Sequence, residues 1–262
     1  MSRLLVLGDI HGSHRALVQV LERANVDREN DRVIFLGDVA DGWPDTRQCV
    51  DELLTLKKLT AILGNHDYWS QRWAETGWQE PVWFNQGGKA TIQSYGGDPR
   101  NVPDSHREFL DTAKHWHQDG DRMFVHGGWE MHKVHPMMAS PEKLMWDRTL
   151  WEKAKQRSGG DKHRITRFAE VYIGHTATEL SHPDLLPVRA CEVWNVDQGC
   201  GWGGKLTLLD VFQKTGIKPS TLSRLESRPS TRPGVDTAHR LSMFYGITTQ
   251  KLFPIHDVGG AK

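Results

Sequence analysis

Acidic, amide and imidazole side chains follow five short apolar runs in this sequence. The five stretches are VLGDIHG (6–12), FLGDVADG (35–42), ILGNHD (62–67), FVHGG (124–128) and YIGHT (172–176). Carboxylate, amide and imidazole donors without thiolates suit hard or borderline divalent metals. One such turn would be an ordinary loop, but five in succession indicate a metal site built from distant parts of the chain.

Each apolar run is typical of a buried strand, and ligands in open α/β sheets collect at the carboxyl ends of strands. We therefore expect the five turns to converge on one crevice. The predicted metal ligands are Asp9, His11, Asp38, Asn65, His126 and His175. Six ligands exceed the need of one ion that keeps positions open for water and substrate, and a carboxylate such as Asp38 can bridge two ions. The sequence predicts two divalent ions, with manganese as the first expectation and iron or zinc as alternatives.

Two further residues in these turns have side chains that can handle a proton. His66 stands next to the predicted ligand Asn65, so it is the candidate proton donor to a leaving group. Asp41 is the candidate partner that fixes the tautomer of His66. The alternative for Asp41 is a turn residue within DVADG. Two metals with a proton donor suit the hydrolysis of phosphate esters.

The strands and helices that must position these residues alternate along the first half of the chain. Strand-like runs are 4–7, 33–36, 61–63, 91–95, 123–125, 171–173, 193–196 and 206–211. Helical periodicity covers a segment capped by Ser13, together with 44–57, 103–117 and 141–156. Alternation followed by clustered strands predicts a layered α/β fold with two sheets. Five tryptophans are expected in the core, and the alternative is that they line a wall beside the site: Trp43, Trp69, Trp73, Trp78 and Trp83.

The composition limits the class of protein. The 262 residues include 33 Lys and Arg against 33 Asp and Glu, so net charge favours neither a nucleic acid nor an acidic partner. Cys49, Cys191 and Cys200 are too few and wrongly spaced for a disulfide framework or a zinc knuckle. The N-terminus lacks a signal-like pattern and no apolar run reaches membrane length, so we expect a cytoplasmic protein with no membrane partner. The sequence makes no prediction of oligomeric state.

The motifs resemble those of the calcineurin-like metallophosphoesterases, and more narrowly the phosphoprotein phosphatase branch with its bacterial and phage serine/threonine phosphatases. The blocks G-D-x-H-G, G-D-x-x-D, G-N-H-D, H-G-G and G-H-T occur in the order of that family. LMWDR (144–148) and NVDQGCGWGGKLTLLDV (195–211) extend the resemblance, which covers roughly residues 3–211. The resemblance implies a four-layer β-sandwich flanked by helices.

The resemblance also implies a role for each site residue. The ligands implied are Asp9 and His11 for one ion, Asn65, His126 and His175 for the other, and Asp38 for both. A metal-bridging hydroxide would attack the phosphoryl group, with His66 as proton donor and Asp41 as its partner. Arg148 would clamp the phosphate, and Asn65 would also contact the substrate. The alternative for Arg148 is an exposed helical arginine.

Two departures from the family pattern concern the substrate. The usual D-R-G is Asp41-Gly42-Trp43 here, and no arginine follows Asp67, so a phosphate-binding arginine is missing. Arg47 and Arg72 are the candidates to replace it. The first expectation is a serine/threonine phosphoprotein phosphatase. Hydrolysis of dinucleoside polyphosphates or of other small phosphoesters is the alternative.

The tail 212–262 has a different character, with eight Lys and Arg against three Asp and Glu. TGIKPSTLSRLES and GVDTAHRLSMFYGITTQKLF resemble the recognition helix and the last two helices of phage-repressor-type helix-turn-helix domains. The first helix of that module is missing, because residues 205–211 match the closing strand of the phosphatase. We therefore predict a phosphatase domain at 1–211 and a short helical appendix at 212–262. Nucleic-acid binding by the tail is expected to be weak or absent, and a DNA-associated regulator is the alternative.

Overall fold

The computed structural model of the protein describes residues 2–130, 135–158, 164–178, 181–182 and 185–211. These residues lie in the first of two compact units, residues 1–211 and residues 212–262. The helical tail predicted at 212–262 lies outside the described residues. No helix among the described residues is long and apolar enough to cross a membrane.

Nine strands in the described part of the chain form two mixed sheets. They are β1 (Leu4–Leu7), β2 (Arg32–Phe35), β3 (Leu59–Ala61), β4 (Trp116–Asp119), β5 (Arg122–Val125), β6 (Glu170–Ile173), β7 (Val188–Ala190), β8 (Val193–Asn195) and β9 (Leu208–Asp210). The first sheet has the order β3-β2-β1-β9, with β9 antiparallel to its neighbour and the other three parallel. The second has the order β4-β5-β6-β8-β7, with the three central strands parallel.

Helices and short helical turns connect these strands. The α-helices are α1 (His14–Arg23), α2 (Thr46–Leu53), α3 (Asn65–Thr76), α4 (Pro81–Trp83), α5 (Lys89–Ser94), α6 (Asp104–Thr112), α7 (Pro141–Trp146) and α8 (Thr149–Ser158). The segment Phe84–Gly88, which is kinked by non-helical backbone angles at Gln86 and Gly87, joins α4 to α5. Short 3₁₀ turns occur at Pro99–Asn101, Pro136–Met138 and Cys200–Trp202.

Alternate residues of β1 face opposite sides of the first sheet, as strand geometry requires. Leu5 packs outward in a cluster with Leu17 of α1 and Val50 of α2. Leu4 faces inward, in a cluster that includes Phe124 of β5. The inner cluster therefore lies between the two sheets, and the outer one lies beneath helices.

Helices α7 and α8 cover the outer face of the second sheet. Leu144 of α7 and Trp151 of α8 share a buried cluster with Met123 of β5 and Val171 of β6. The order of layers is helix, sheet, sheet, helix. The predicted α/β sandwich of four layers is therefore confirmed.

A separate aromatic cluster lies under α3 to α5, where Trp69 and Trp73 pack with Trp83. Trp78 is half-buried and stacks on Trp83 with ring centroids 5.9 Å apart. The prediction that these tryptophans belong to the core is correct for these four. It is wrong for Trp43, which is exposed.

The strand predicted at 91–95 is wrong, because this segment belongs to helix α5. The sequence TIQSY favours a strand by its β-branched and aromatic residues, but such local preference is weak against tertiary contacts. Here the hydroxyl of Thr91 donates a hydrogen bond of 2.7 Å to the carboxylate of Asp41, fifty residues away in sequence. The helical conformation places the hydroxyl of Thr91 within hydrogen-bond distance of this carboxylate.

Two predicted helices are shorter than expected. The helix predicted at 103–117 ends at Thr112, and Trp116 already pairs with β5. The helix predicted at 141–156 is broken between α7 and α8. There Asp147 Oδ1 accepts hydrogen bonds from the backbone N–H and hydroxyl of Thr149 at 2.5 and 2.7 Å, which begins a new helix. Arg148 lies in this break and not within a helix.

Candidate metal centre

The six predicted ligands lie at the carboxyl ends of strands drawn from both sheets. Asp9 and His11 follow β1, Asp38 follows β2, Asn65 follows β3, His126 follows β5 and His175 follows β6. Each of the six is at most 9% exposed. The structure therefore brings together the residues that the sequence selected, and their role as ligands stays a prediction.

Asp38 stands at the centre of this group. Its Oδ2 lies 3.2 Å from Nε2 of His126 and 3.9 Å from Nε2 of His11. Donor atoms of Asp38, His126 and His175 lie within 4.8 Å of one another, and so do those of Asp38, His11 and His66. One carboxylate thus belongs to two clusters of donor atoms, which is the arrangement expected of a ligand that bridges two ions.

Backbone carbonyl groups fix the ring orientations of two histidines. Nδ1 of His11 lies 3.0 Å from the carbonyl oxygen of Ala40, and Nδ1 of His126 lies 2.8 Å from that of Leu36. Because a carbonyl oxygen only accepts, Nδ1 carries a proton in each ring, and Nε2 is the atom presented to Asp38. Histidines that bind metals usually donate their other N–H to a carbonyl or carboxylate in this way.

Asp9 and His175 each bury a donor atom without a partner. Asp9 Oδ2 accepts the backbone N–H of His175 at 2.9 Å, but Asp9 Oδ1 and His175 Nε2 have no hydrogen-bond partner. Buried polar atoms are rarely left unpaired, because each costs free energy in a dry interior. The two predicted divalent cations would satisfy these atoms, one ion each, and the donor types match the hard or borderline metals. The residues present therefore fit the predicted metal ions.

The buried carboxylates also favour a cation. Burial raises the pKa of Asp9, and the nearby Asp197 carboxylate raises it further. Burial also opposes the ionisation of Asp38, but the neighbouring rings of His126 and His66 outweigh it and hold the pKa of Asp38 below its usual range. Negative charge packed this closely is costly unless positive charge compensates it.

The histidines of the group divide into two kinds. Burial lowers the pKa of His11 to about 4. Burial, and then the charges of His126 and Arg148, lower the pKa of His175 to about 2. Burial acts the same way on His126, but the adjacent Asp38 carboxylate raises the pKa of His126 to about 10. Neutral imidazole is the form that binds a metal. At neutral pH, His126 is therefore the one of these three histidines that must lose a proton when an ion binds.

Four residues of the centre hold a backbone conformation that L-amino acids rarely adopt. The φ angles are +50° for His11, +61° for Asp38, +70° for Asp41 and +63° for His175. Such strain is retained where surrounding structure enforces it, most often at functional sites. The packing is close as well, since a Cβ on Gly64 would lie 2.0 Å from Asp38 Oδ1.

His66, which belongs to one of the two donor clusters, forms a buried hydrogen-bonded pair with Asp41. His66 Nδ1 lies 2.7 Å from Asp41 Oδ2, which also accepts the indole N–H of Trp83 at 2.8 Å. With the hydroxyl of Thr91 on Oδ1, three side chains hold this carboxylate, so Asp41 is more than a turn residue. Burial tends to lower the pKa of His66, but the carboxylates of Asp38 and Asp41 outweigh it and raise that pKa.

The sequence analysis missed three supporting residues, namely Asp67, Thr91 and Trp83. The Asp67 carboxylate accepts the backbone N–H groups of Asp38 and Gly64 at 2.7 and 3.2 Å, which fixes the turn that carries Asp38. An acidic residue in the first turn of a helix after a glycine cap was the available signal for Asp67. Thr91 and Trp83 gave no such signal, because their partner is distant in sequence.

The arginine predicted to clamp phosphate lies at the exposed edge of the centre. Arg148 is exposed, yet it is close enough to His175 for its charge to lower the pKa of that ring. Of the two candidates to replace the missing arginine, Arg72 lies over the ring of Trp78 at 4.2 Å, which gives it another partner. Arg47 is exposed on α2.

Two known families match parts of the chain. Residues 2–201 match the calcineurin-like phosphoesterase family, and residues 204–252 match a helix-turn-helix family. The second match overlaps β9, in which Leu209 pairs with Val6 of β1. Residues 208–210 of the helix-turn-helix match are therefore part of the first sheet.

Short segments also match named enzymes. A serine/threonine-protein phosphatase 1 of Salmonella typhimurium is 34% identical over 83 residues, which cover 32% of this chain and 38% of the relative. A symmetrical bis(5′-nucleosyl)-tetraphosphatase of Coxiella burnetii is 34% identical over 62 residues, which cover 24% of this chain and 21% of the relative. The chain thus matches well under half the length of either relative.

Solved structures share the fold. A cold-active protein-tyrosine phosphatase of a psychrophilic Shewanella has a TM-score of 0.54 at 13% identity, covering 80% of this chain and 76% of that chain. A metallophosphoesterase from Sphaerobacter thermophilus has a TM-score of 0.50 at 17% identity, covering 96% of this chain and 97% of that chain. At such identities the likeness concerns the fold alone. The shared fold agrees with the motifs and with the order of layers. Because the family match covers residues 2–201, the chain belongs to the calcineurin-like phosphoesterase family.

Proposed function

We propose that the protein is a two-metal phosphoester hydrolase. The proposed metal ligands are Asp9, His11, Asp38, Asn65, His126 and His175. The observation that carries the proposal is the position of Asp38, whose carboxylate belongs to two clusters of donor atoms, one of which includes His66 with its partner Asp41.

Bound divalent ions would activate a water molecule and neutralise charge on the phosphoryl oxygens. Hydrogen bonds within the protein fix the proposed ligands in position for that arrangement. The carbonyl groups behind His11 and His126 fix both rings, and the Asp67 carboxylate fixes the turn of Asp38. A site that is organised before the substrate arrives needs little rearrangement in the transition state.

His66 would supply the proton that the leaving group needs. As oxygen from water bonds to phosphorus and the ester P–O bond breaks, the departing oxygen takes a proton from Nε2 of His66. The contact with Asp41 supports this role, because it keeps a proton on Nδ1 and stabilises the charged ring. The raised pKa of His66 is also consistent with a ring that carries a proton to donate.

Two substrate classes are candidates. The order of the motifs and the Salmonella relative favour a serine/threonine phosphoprotein. The Coxiella relative favours a dinucleoside polyphosphate, as does Gly42 at the position where the protein phosphatases carry a phosphate-binding arginine. Initial rates with phosphoserine and phosphothreonine peptides, a dinucleoside tetraphosphate and a chromogenic phosphomonoester, each with manganese, iron or zinc, would test both. Failure to hydrolyse any of them with any metal would contradict the proposal.

Arg148→Ala should raise KM for phosphate esters by about tenfold and weaken inhibition by inorganic phosphate to a similar degree, because a charge-assisted hydrogen bond is lost. The effect on kcat should be smaller. Arg157→Ala removes an exposed arginine from α8 and is the matched control, for which no change is expected. If Arg148→Ala leaves KM and phosphate inhibition as in the parent protein, Arg148 has no part in binding phosphate.

A chain that ends at Gln213 should keep its metal content and its hydrolytic activity, because all proposed ligands and β9 precede that point. We propose that any binding of duplex DNA by the tail 212–262, which has an excess of five positive charges, is weak and without sequence preference. Electrophoretic mobility at low and moderate salt measures this for the full chain and the shortened one. Sequence-selective binding that survives moderate salt would contradict the proposal and favour a DNA-associated regulator.

A further inference from the structure

Two exposed tryptophans lie beside the predicted ligand His11. Trp43 is 45% exposed and Trp202 is 59% exposed, whereas the other nine tryptophans of the chain are buried or half-buried. Large aromatic side chains left in contact with solvent in this way often mark a binding surface. We call Trp43 and Trp202 the aromatic patch.

The indole of Trp43 is held in a fixed position. Its Nε1 donates a hydrogen bond of 2.9 Å to the carbonyl oxygen of Cys200, and its backbone N–H donates one of 2.9 Å to the carbonyl oxygen of His11. Cys200 begins the 3₁₀ turn that carries Trp202. The hydrogen bond therefore links the two members of the aromatic patch and orders the ring before any ligand binds.

Trp202 lies directly against the metal centre. The centroid of its ring is 6.2 Å from that of His11, with the two planes at 47°. Gly201 permits this approach, because a Cβ at that position would lie 2.7 Å from a carbon of the His11 ring. A group bonded to a phosphoryl group at the centre would thus meet the aromatic patch.

The chemistry of this edge differs from that of an arginine-lined phosphate site. Gly42 offers no side chain, and the next residue exposes an indole. The face of an indole attracts planar rings through stacking, but it provides neither a hydrogen-bond donor nor a positive charge for phosphate oxygens. The aromatic patch therefore suits an organic part of the substrate and not a further phosphate.

We propose that the aromatic patch is a binding subsite for the base of a nucleotide substrate, whose phosphate chain lies at the metal centre. The proposal rests on the proposed phosphoester hydrolysis and names its substrate class. A phosphoserine or phosphothreonine side chain joins its phosphate to an aliphatic carbon and carries no ring. A nucleotide carries a planar ring on the same molecule, and every base has a π face that an indole can stack on.

The test compares two ligands that differ only by the base. Calorimetry with the metal-loaded protein gives Kd for the phosphonate analogues of AMP and of ribose 5-phosphate, in which a methylene group replaces the ester oxygen so that neither ligand is hydrolysed; the two analogues are called AMP and ribose 5-phosphate below. The titrations are done first in the parent chain and then in the Trp43→Ala/Trp202→Ala double variant. Stacking of one base on an aromatic ring predicts that the parent binds AMP roughly tenfold more tightly than ribose 5-phosphate. In the double variant this ratio should fall close to one, because only AMP loses a contact.

Two further variants guard the interpretation. Trp202→Phe keeps an aromatic face and should retain a large part of the preference for AMP. Leu54→Ala removes a side chain that is 40% exposed at the end of α2, on the approach to the amino end of β3, and should leave the ratio unchanged. A loss of preference in Leu54→Ala equal to that in the double variant would contradict the proposal, since the effect would then be general.

The outcomes also separate this inference from the proposed function. If the parent chain hydrolyses phosphoesters but binds AMP and ribose 5-phosphate equally, the aromatic patch does not bind a base and the inference fails alone. The same follows if the double variant keeps the parent ratio. If the ratio behaves as expected while no phosphoester is hydrolysed, the subsite stands and the proposed function fails.

Discussion

Asp38→Asn should lose most of the bound divalent metal and lower kcat by about a hundredfold or more, a loss of the size seen when one charge-stabilising group is removed from an active site. Oδ2 of Asp38 lies 3.2 Å from Nε2 of His126 and 3.9 Å from Nε2 of His11, and the carboxylate belongs to both donor clusters. Asparagine has nearly the same shape but offers one neutral oxygen. It therefore weakens both ions together, and metal analysis after gel filtration should show well under two ions per chain.

The matched control is Asp111→Asn, which makes the same chemical change at an exposed residue hydrogen-bonded to Gln71. This variant should keep its metal and its turnover. If Asp38→Asn retains two ions per chain and full activity, Asp38 does not bridge and the two-metal proposal is wrong.

His66→Ala should lower turnover by about a hundredfold or more on esters with poor leaving groups, such as phosphoserine peptides, because general acid catalysis contributes roughly that much. The loss should be much smaller on a nitrophenyl ester, whose leaving group departs without help from a proton. Metal content should stay close to that of the parent chain. The measurement is kcat for a series of esters that differ in leaving-group pKa.

A second variant shows whether Asp41 acts through His66. Thr91→Val keeps the side-chain shape but removes the hydroxyl that donates to Asp41 Oδ1. We expect the same dependence on the leaving group as in His66→Ala, with a smaller loss. Equal losses on good and poor leaving groups in both variants would remove His66 from the role of proton donor.

The sequence located the centre because its side chains repeat one pattern. Each of the six candidate ligands follows a strand, and the carboxyl ends of parallel strands meet in space. The same reasoning found His66 and Asp41, since both stand within the same turns. Residue types and the positions of strand ends were therefore enough to predict that eight side chains lie close together.

The sequence could not predict the contacts that hold the site in position. Thr91 reaches Asp41 from the segment 91–95, whose local pattern indicated a strand although it is helical in the folded chain. Trp83 reaches the same carboxylate from α4. The break between α7 and α8 was equally hidden, because it depends on one side chain, Asp147, bonding to Thr149 within an otherwise helical pattern. The sequence also did not predict that the side chains of Trp43 and Trp202 are exposed to solvent.

The central claim is that bound divalent metal makes this chain a phosphoester hydrolase, and metal removal with reconstitution tests it most directly. The protein is treated with a chelator, and kcat for a chromogenic phosphomonoester is then followed as manganese, iron or zinc is added back to a measured number of ions per chain. We expect no turnover without metal and recovery that is complete only near two ions per chain. Full turnover in the metal-free protein, or recovery that is complete at one ion per chain, would contradict the two-metal account.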